Sequence, residues 1–150
     1  MDRLGAETVV DTSVAAKFFF DEPDSDRADS VLHQCRAGAL VIVVLDLLLA
    51  EFANAAWTKS LRRLATAREA ESSIDHLLLL AEKFQVLPAR DFLPDAVRKS
   101  CRYGHAVYDT LLLAVAERRG VPVLTADVRF YHKFRRTHPS VVLLSDLKVG

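Results

Sequence analysis

The apolar segment at residues 40–45 constrains the fold more than any other part of the sequence. It reads Leu-Val-Ile-Val-Val-Leu and lacks the alternation of polar and apolar residues that a half-buried strand shows. A strand of this kind is buried on both faces, as in a parallel sheet that helices cover on each side. The sequence therefore predicts an α/β fold with a central parallel sheet.

Strand-like and helix-like segments alternate along the rest of the chain. Short β-rich runs predict strands at residues 8–10, 40–45, 85–87, 121–125 and 141–144. Helical patterns cover residues 14–20, 25–37, 67–84, 93–103 and 109–119. A further helix is expected to be capped by Asp46 and to end near residue 64. Because this alternation is typical of parallel sheets and nothing resembles a linker, we expect a single three-layer α/β domain over residues 1–150.

The overall charge is balanced, with 20 Lys and Arg against 20 Asp and Glu. A balanced total predicts neither a nucleic-acid binder nor a membrane-surface protein, so any electrostatic argument has to be local. Cys35 and Cys101 are far apart and have no His or Cys at ligand spacing, which argues against a zinc site and against a disulfide framework.

The N-terminal segment lacks the basic and then apolar pattern of a signal peptide, because Asp2, Arg3 and Glu7 interrupt it. The most apolar stretch, residues 40–57, contains several polar or charged side chains and is interpreted as a strand followed by a helix. We therefore expect a cytoplasmic protein that does not cross a membrane.

Two acidic residues, Asp11 and Asp127, come just after apolar runs that are expected to be strands. In open parallel sheets, ligands bind beyond the carboxyl ends of the strands. Ser13 and Thr125 each stand two positions from one of these acids, where a hydroxyl can hold a carboxylate or a water molecule. The alternative is that both acids only cap the helices or turns that follow them.

Two further acids, Glu51 and Asp109, stand in apolar helical segments. Glu51 interrupts LLLAEFANAAW, which leaves little polar face for it, and an unpaired buried carboxylate is costly. Asn54 follows three positions later, so the two side chains can share one helical stripe that faces a cleft. The alternatives are that Glu51 lies on a solvent-facing side of its helix and that Asp109 is only an N-cap.

Together, Asp11, Glu51, Asp109 and Asp127 suggest a site for a hard cation such as Mg²⁺. Mg²⁺ prefers a few carboxylates and several water molecules, and it needs neither His nor Cys. Without a cation, two carboxylates about 4 Å apart repel each other by roughly 4 kcal/mol at an effective dielectric constant of about 20. A bound cation removes that repulsion.

Around these acids the sequence resembles the PIN-domain nucleases and, among them, the toxin component of VapBC-type toxin–antitoxin modules. The resemblance rests on four segments in order, VVDTSVAAKFFFDEP, LDLLLAEFANAAWTK, YGHAVYDTLLLAVAERRGVPVLTADVRF and VVLLSD, and covers nearly the whole chain. It implies a PIN fold, with a central parallel sheet flanked by helices. It also carries the family's acidic metal site onto Asp11, Glu51, Asp109 and Asp127, with supporting roles for Ser13, Asn54 and Thr125.

The resemblance further implies an activity and a set of partners. The expected activity is Mg²⁺- or Mn²⁺-dependent hydrolysis of RNA phosphodiesters, with tRNA or rRNA as the target. The expected partners are a cognate VapB-type antitoxin, which blocks the site, and a second copy of the chain in a homodimer. Two alternatives stay open: a stand-alone PIN ribonuclease in RNA processing, and a catalytically inactive PIN-like scaffold that binds RNA or protein.

RNA phosphates need cationic partners, and the basic residues of this chain are clustered locally. The candidate RNA contacts are Lys17, in the helix that follows Asp11, together with Arg102 and Arg129. The alternative for each is that a basic side chain near a helix end stabilises the helix dipole and keeps the surface soluble.

Overall fold

A five-stranded parallel sheet forms the centre of the computed structural model, which describes residues 4–148. The strand order is β3-β2-β1-β4-β5, and every neighbouring pair is parallel, which confirms the predicted sheet. The strands are β1 (Glu7–Val10), β2 (Val41–Leu45), β3 (Gln85–Leu87), β4 (Val123–Thr125) and β5 (Val141–Leu143).

Helices connect the strands and flank the sheet. They are α1 (Thr12–Ala15), α2 (Ser25–Arg36), α3 (Leu47–Leu61), α4 (Ala67–Ala81), α5 (Leu93–Tyr103), α6 (Val107–Arg119) and α7 (Val128–Phe134). Short 3₁₀ helices lie after α1, between β3 and α5, and after β5, at Ala16–Phe18, Ala89–Phe92 and Leu144–Asp146.

The two faces of the sheet contribute to separate apolar cores. Ile42 and Val44 pack into one core together with side chains of α2, α3 and α4. Val43 and Leu45 point to the opposite face and pack with α6 and α7. Because successive side chains of a strand point to opposite faces, a strand covered on both sides has to be apolar at every position. This explains why residues 40–45 show no alternation.

Helix α3 ends at Leu61, three residues earlier than the sequence pattern predicts. Arg63 has a φ of +59°, and the N–H of Leu64 donates to the carbonyl oxygen of Lys59. This arrangement is a Schellman motif, which usually has glycine at the position with positive φ. Because arginine stands there in this chain, no glycine marks the end of the helix in the sequence. Similarly, α4 ends at Ala81, whereas the pattern predicts that it continues to residue 84.

One expectation about local structure was wrong, and one helix had not been predicted. Asp46 precedes α3, but its side chain makes no cap contact there; its Oδ1 accepts a hydrogen bond from the backbone N–H of Ala89 at 3.0 Å. No helix was expected at residues 128–134, where α7 is found. Phe130 and Phe134 of α7 are four residues apart and both buried, which is the pattern that a short amphipathic helix requires.

Within residues 4–148, no helix combines the length and the apolar character that crossing a bilayer requires.

Phe52 fixes α3 onto the sheet, and its replacement tests this packing. The ring is fully buried and contacts the rings of Phe19 and Phe20, with centroids 5.2 and 6.1 Å away. We expect Phe52→Ala to lower the free energy of unfolding by about 3–5 kcal/mol in a urea titration, because it leaves a cavity. Leu79→Ala, at a position that is 65% exposed, is the control and is expected to stay within about 0.5 kcal/mol of the unchanged chain. Equal effects of the two substitutions would contradict this packing.

Candidate active site

The candidate site lies where the order of the strands reverses. β1 is central, with β2 on one side and β4 on the other, so the connections that leave these strands turn to opposite sides. A crevice opens at such a point beyond the carboxyl ends of the strands. Asp11 follows β1 directly, and Asp127 comes two residues after the end of β4.

Two hydroxyl groups fix the carboxylate of Asp11. Ser13 Oγ and Thr125 Oγ1 both donate to Asp11 Oδ2, at 2.7 and 2.8 Å. Ser13 Oγ also accepts a hydrogen bond from the N–H of Ala126, and Thr125 Oγ1 accepts one from the N–H of Asp127. The carboxylate is therefore tied to the end of β4, and the two hydroxyls predicted as supporting groups both contact it.

Burial and charge make ionisation of Asp11 unfavourable. Burial is the largest effect and raises the pKa of Asp11, while the hydrogen bonds from Ser13 and Thr125 lower it. The negative charges of Asp109 and Asp127 raise it further, and the net direction is upward.

Asp11, Glu51 and Asp109 line one small cleft, which we call the acid cleft. Its remaining walls are Val10, Thr12, Leu45, Leu48, Tyr108 and Leu112. Three carboxylates that lie 40 or more residues apart in the sequence are thus brought together at one edge of the sheet. Asp127 lies outside these walls, and its carboxylate acts on Asp11 through its charge.

Glu51 reaches the acid cleft from the exposed side of α3, which is the solvent-facing placement that the sequence left open. Its Oε1 accepts a hydrogen bond of 3.3 Å from the hydroxyl of Thr12. Partial burial raises the pKa of Glu51, the charges of Asp11 and Asp109 raise it further, and the Thr12 hydrogen bond lowers it. The net upward direction of the pKa means that burial, together with the neighbouring carboxylates, disfavours the ionised form of Glu51.

Asp109 lies in the first turn of α6, two residues past the helix start, and the N-cap of this helix is Ala106. The alternative that Asp109 is only an N-cap is therefore wrong. Its Oδ2 is 2.7 Å from Nε2 of His105. The sequence analysis gave no role to His105 or to Thr12. No helical pattern could have indicated His105, because it lies before Ala106, the extended N-cap of α6, and is not part of the helix.

Asp127 is the N-cap of α7, as the capping alternative proposed. Its Oδ1 accepts hydrogen bonds from the backbone N–H groups of Arg129 and Phe130, at 2.8 and 3.1 Å. This role accounts for the local position of its side chain, while its charge still raises the pKa of Asp11. Asp127 is thus both a cap and a part of the negative field around the cleft.

The donor set of the acid cleft suits a hard cation. Over residues 4–148, no three His, Cys, Asp or Glu side chains are arranged in a group that could hold a metal ion. The residues of the cleft nevertheless fit Mg²⁺ or Mn²⁺ chemically, because they supply carboxylate oxygens, which are the ligands that these hard cations prefer. Burial, and after it the negative charge of the neighbouring acids, raises the pKa values of Asp11 and Glu51, and a bound cation would favour the ionised form of both.

Two further predicted residues, Asn54 and Lys17, are not among those that line the cleft. Asn54 is exposed on α3, one turn beyond Glu51, and its carbonyl oxygen accepts a hydrogen bond from Thr58. Lys17 is largely buried and donates to Glu22 Oε2 at 3.2 Å and to the carbonyl oxygen of Pro23 at 2.8 Å. The ammonium group of Lys17 therefore binds the segment that follows α1.

Two candidate RNA contacts are exposed. Arg129 is in the first turn of α7, beside Asp127. Arg102 is in the last turn of α5, and its guanidinium group lies 5.4 Å from the ring centre of Tyr103. Both remain predictions as RNA contacts.

Known proteins resemble this chain in sequence and in fold. A family model described as PIN domain matches residues 8–134. Ribonuclease VapC3 of Pyrobaculum aerophilum is 30% identical over 126 residues, which cover 84% of this chain and 93% of that protein.

Two solved structures have the same fold. One is PAE2754 from Pyrobaculum aerophilum, with a TM-score of 0.67, 23% identity and coverage of 93% of this chain and 92% of that chain. The other is a toxin–antitoxin complex from Klebsiella pneumoniae, with a TM-score of 0.66, 13% identity and coverage of 93% of this chain and 99% of that chain.

The unfavourable ionisation of Asp11 predicts a pH-dependent gain in stability in Asp11→Asn. A raised pKa in the folded state means that ionisation destabilises the fold at pH values above that pKa. In EDTA at pH 7, we expect Asp11→Asn to unfold at a higher urea concentration than the unchanged chain. The difference should shrink as the pH falls toward about 4, where an unfolded-state Asp becomes protonated.

The exposed Asp75 of α4 provides the matched control, because Asp75→Asn also removes one negative charge. This control is expected to show no such dependence on pH. An Asp11→Asn variant that is less stable than the unchanged chain at pH 7 would contradict the account of the site.

Proposed function

Since the chain belongs to the PIN-domain family, we propose that it is an endoribonuclease and the toxin of a VapBC-type toxin–antitoxin module. The observation that carries the proposal is the acid cleft, in which Asp11, Glu51 and Asp109 meet beyond the end of β1. The 30% identity to a ribonuclease of the VapC type, over most of both chains, supports the same activity.

The reaction that we propose is Mg²⁺- or Mn²⁺-dependent hydrolysis of RNA. Asp11 and Asp109 would hold the ion directly, and Glu51 and Asp127 would hold it directly or through a water molecule. When bound, the ion lowers the pKa of a water molecule and offsets the negative charge that builds up on the phosphodiester. The reaction needs no nucleophile from the protein.

The residues of the chain hold and orient the acids in this proposal. Ser13 and Thr125 fix Oδ2 of Asp11, so that the buried carboxylate keeps one direction. Thr12 does the same for Glu51 with its hydroxyl. Leu45, Leu48 and Leu112 form an apolar wall that limits access of water and strengthens the electrostatic interactions inside the cleft.

The substrate that we propose is tRNA or rRNA, which is consistent with the resemblance to VapC-type toxins. Arg129 is well placed to contact a phosphate, because it is exposed and two residues from Asp127. Arg102 is exposed at the end of α5. Lys17 is the weaker candidate, because Glu22 and the Pro23 carbonyl oxygen already bind its ammonium group.

The partner that we propose is a VapB-type antitoxin that covers the acid cleft in the cell. The relationship to ribonuclease VapC3 and the fold shared with a chain of a Klebsiella pneumoniae toxin–antitoxin complex support this partner. A homodimer and a cytoplasmic location belong to the same proposal, as does the organisation of residues 1–150 as a single PIN domain.

Cleavage of an RNA pool tests the proposal. Purified, antitoxin-free protein is incubated with total RNA and with tRNA in Mg²⁺, in Mn²⁺ and in EDTA, and fragments are mapped by sequencing their ends. We expect discrete fragments with either ion and none in EDTA. Asp11→Asn should lower the rate by more than about 100-fold, because a lost ligand weakens both ion binding and charge stabilisation.

Asp75→Asn is again the control, since it changes an exposed acid of α4 outside the cleft. It is expected to cleave at the same rate and at the same sites as the unchanged chain. Cleavage that persists in Asp11→Asn would contradict the role of the cleft. A folded protein that binds Mn²⁺ and cleaves no RNA would instead favour a scaffold that binds RNA or protein.

A further inference from the structure

His105 contacts an acid of the cleft from outside the cleft walls. Its Nε2 atom is 2.7 Å from Oδ2 of Asp109, which lies four residues further along the chain in the first turn of α6. An ionised carboxylate can only accept hydrogen bonds, so the Nε2–H group is the donor. His105 itself is not among the residues that line the acid cleft.

The core of the protein fixes the direction of this donor. The imidazole ring packs edge-on against Phe130 and Phe134, with centroids 6.4 and 5.1 Å away. Both phenylalanines belong to α7 and are buried. Packing against α7 therefore determines the direction from which Nε2 of His105 approaches Asp109.

The hydrogen bond also differs from the usual contact of an acid at this helix position. In a capping box, the acid at the third helical position binds the backbone N–H of the N-cap, as Glu69 does with Thr66 in α4. Asp109 holds the third position of α6, but it accepts from the side chain of His105 instead. Its carboxylate is thereby directed by a side chain anchored in the core.

We propose that His105 is a positioning residue that orients the carboxylate of Asp109 toward a divalent cation in the acid cleft. This inference rests on the proposed metal-dependent function. Carboxylates that bind metals are held by such outer hydrogen bonds, and the loss of one typically weakens metal affinity or activity by about 10–100-fold. His105 acts only through Asp109 and does not touch the ion.

Binding of Mn²⁺ to the full chain, without RNA, tests this inference. Free Mn²⁺ is followed by its electron paramagnetic resonance signal during titration of the unchanged chain, His105→Gln and His105→Leu. We expect His105→Leu to weaken binding by about 10–100-fold, because leucine packs against the phenylalanines but donates no hydrogen bond. His105→Gln should retain most of the affinity, because its amide can donate to Asp109. His33→Leu, at an exposed position of α2, should bind like the unchanged chain.

A double-mutant cycle separates positioning from a general loss of structure. In an Asp109→Asn background, His105→Leu is expected to cause no further weakening, because the residue through which His105 acts has lost its charge. A merely structural role would lower Mn²⁺ affinity in both backgrounds, and that result would overturn the inference.

Two other outcomes would also overturn it. One is a His105→Leu variant that binds Mn²⁺ within twofold of the unchanged chain, and the other is a His105→Gln variant as weak as His105→Leu. If the unchanged chain cleaves RNA and binds Mn²⁺ while His105→Leu does both equally well, only the inference about His105 fails. If the unchanged chain binds no Mn²⁺, the proposed function fails with it.

Discussion

Concentrated negative charge in the acid cleft is the constraint on which the rest of the site depends. The hydroxyls of Ser13 and Thr125 hold the carboxylate of Asp11 at the end of the central strand, where burial and the charges of Asp109 and Asp127 raise its pKa. An arrangement of this kind costs folding free energy as long as no cation offsets the charge. We therefore infer that binding, rather than folding, accounts for the presence of these acids.

The cleft lies at one edge of the sheet, between helices that pack on its two opposite faces. Leu48 and Phe52 anchor α3, which carries Glu51, in the core on one face of the sheet. Helix α6 carries Asp109, and its apolar side chains pack into the core on the other face of the sheet. Asp11 stands between them at the end of β1, and α7 adds the charge of Asp127 and the packing surface for His105. Stability of both cores is thus required to keep the acids together.

Much of the fold could be predicted from the sequence, because a strand that is buried on both faces of the sheet is apolar at every position. The uninterrupted apolar run at residues 40–45 indicated a parallel sheet, and the helical pattern at residues 93–103 matched α5. The end of α3 and the presence of α7 could not be predicted in the same way. Arg63 takes a backbone conformation that usually requires glycine, and α7 is only seven residues long.

The candidate acids could be selected from the sequence, but their arrangement could not. Position along the chain does not reveal that Asp127 caps α7 while Glu51 reaches the cleft from an exposed helix face. It also does not reveal the hydrogen bond from His105, since that depends on packing against α7. The most direct test of the account is an anomalous difference map from crystals grown with Mn²⁺. We predict a peak between Asp11 and Asp109 in the acid cleft, and a cleft without a peak at saturating Mn²⁺ would contradict the account.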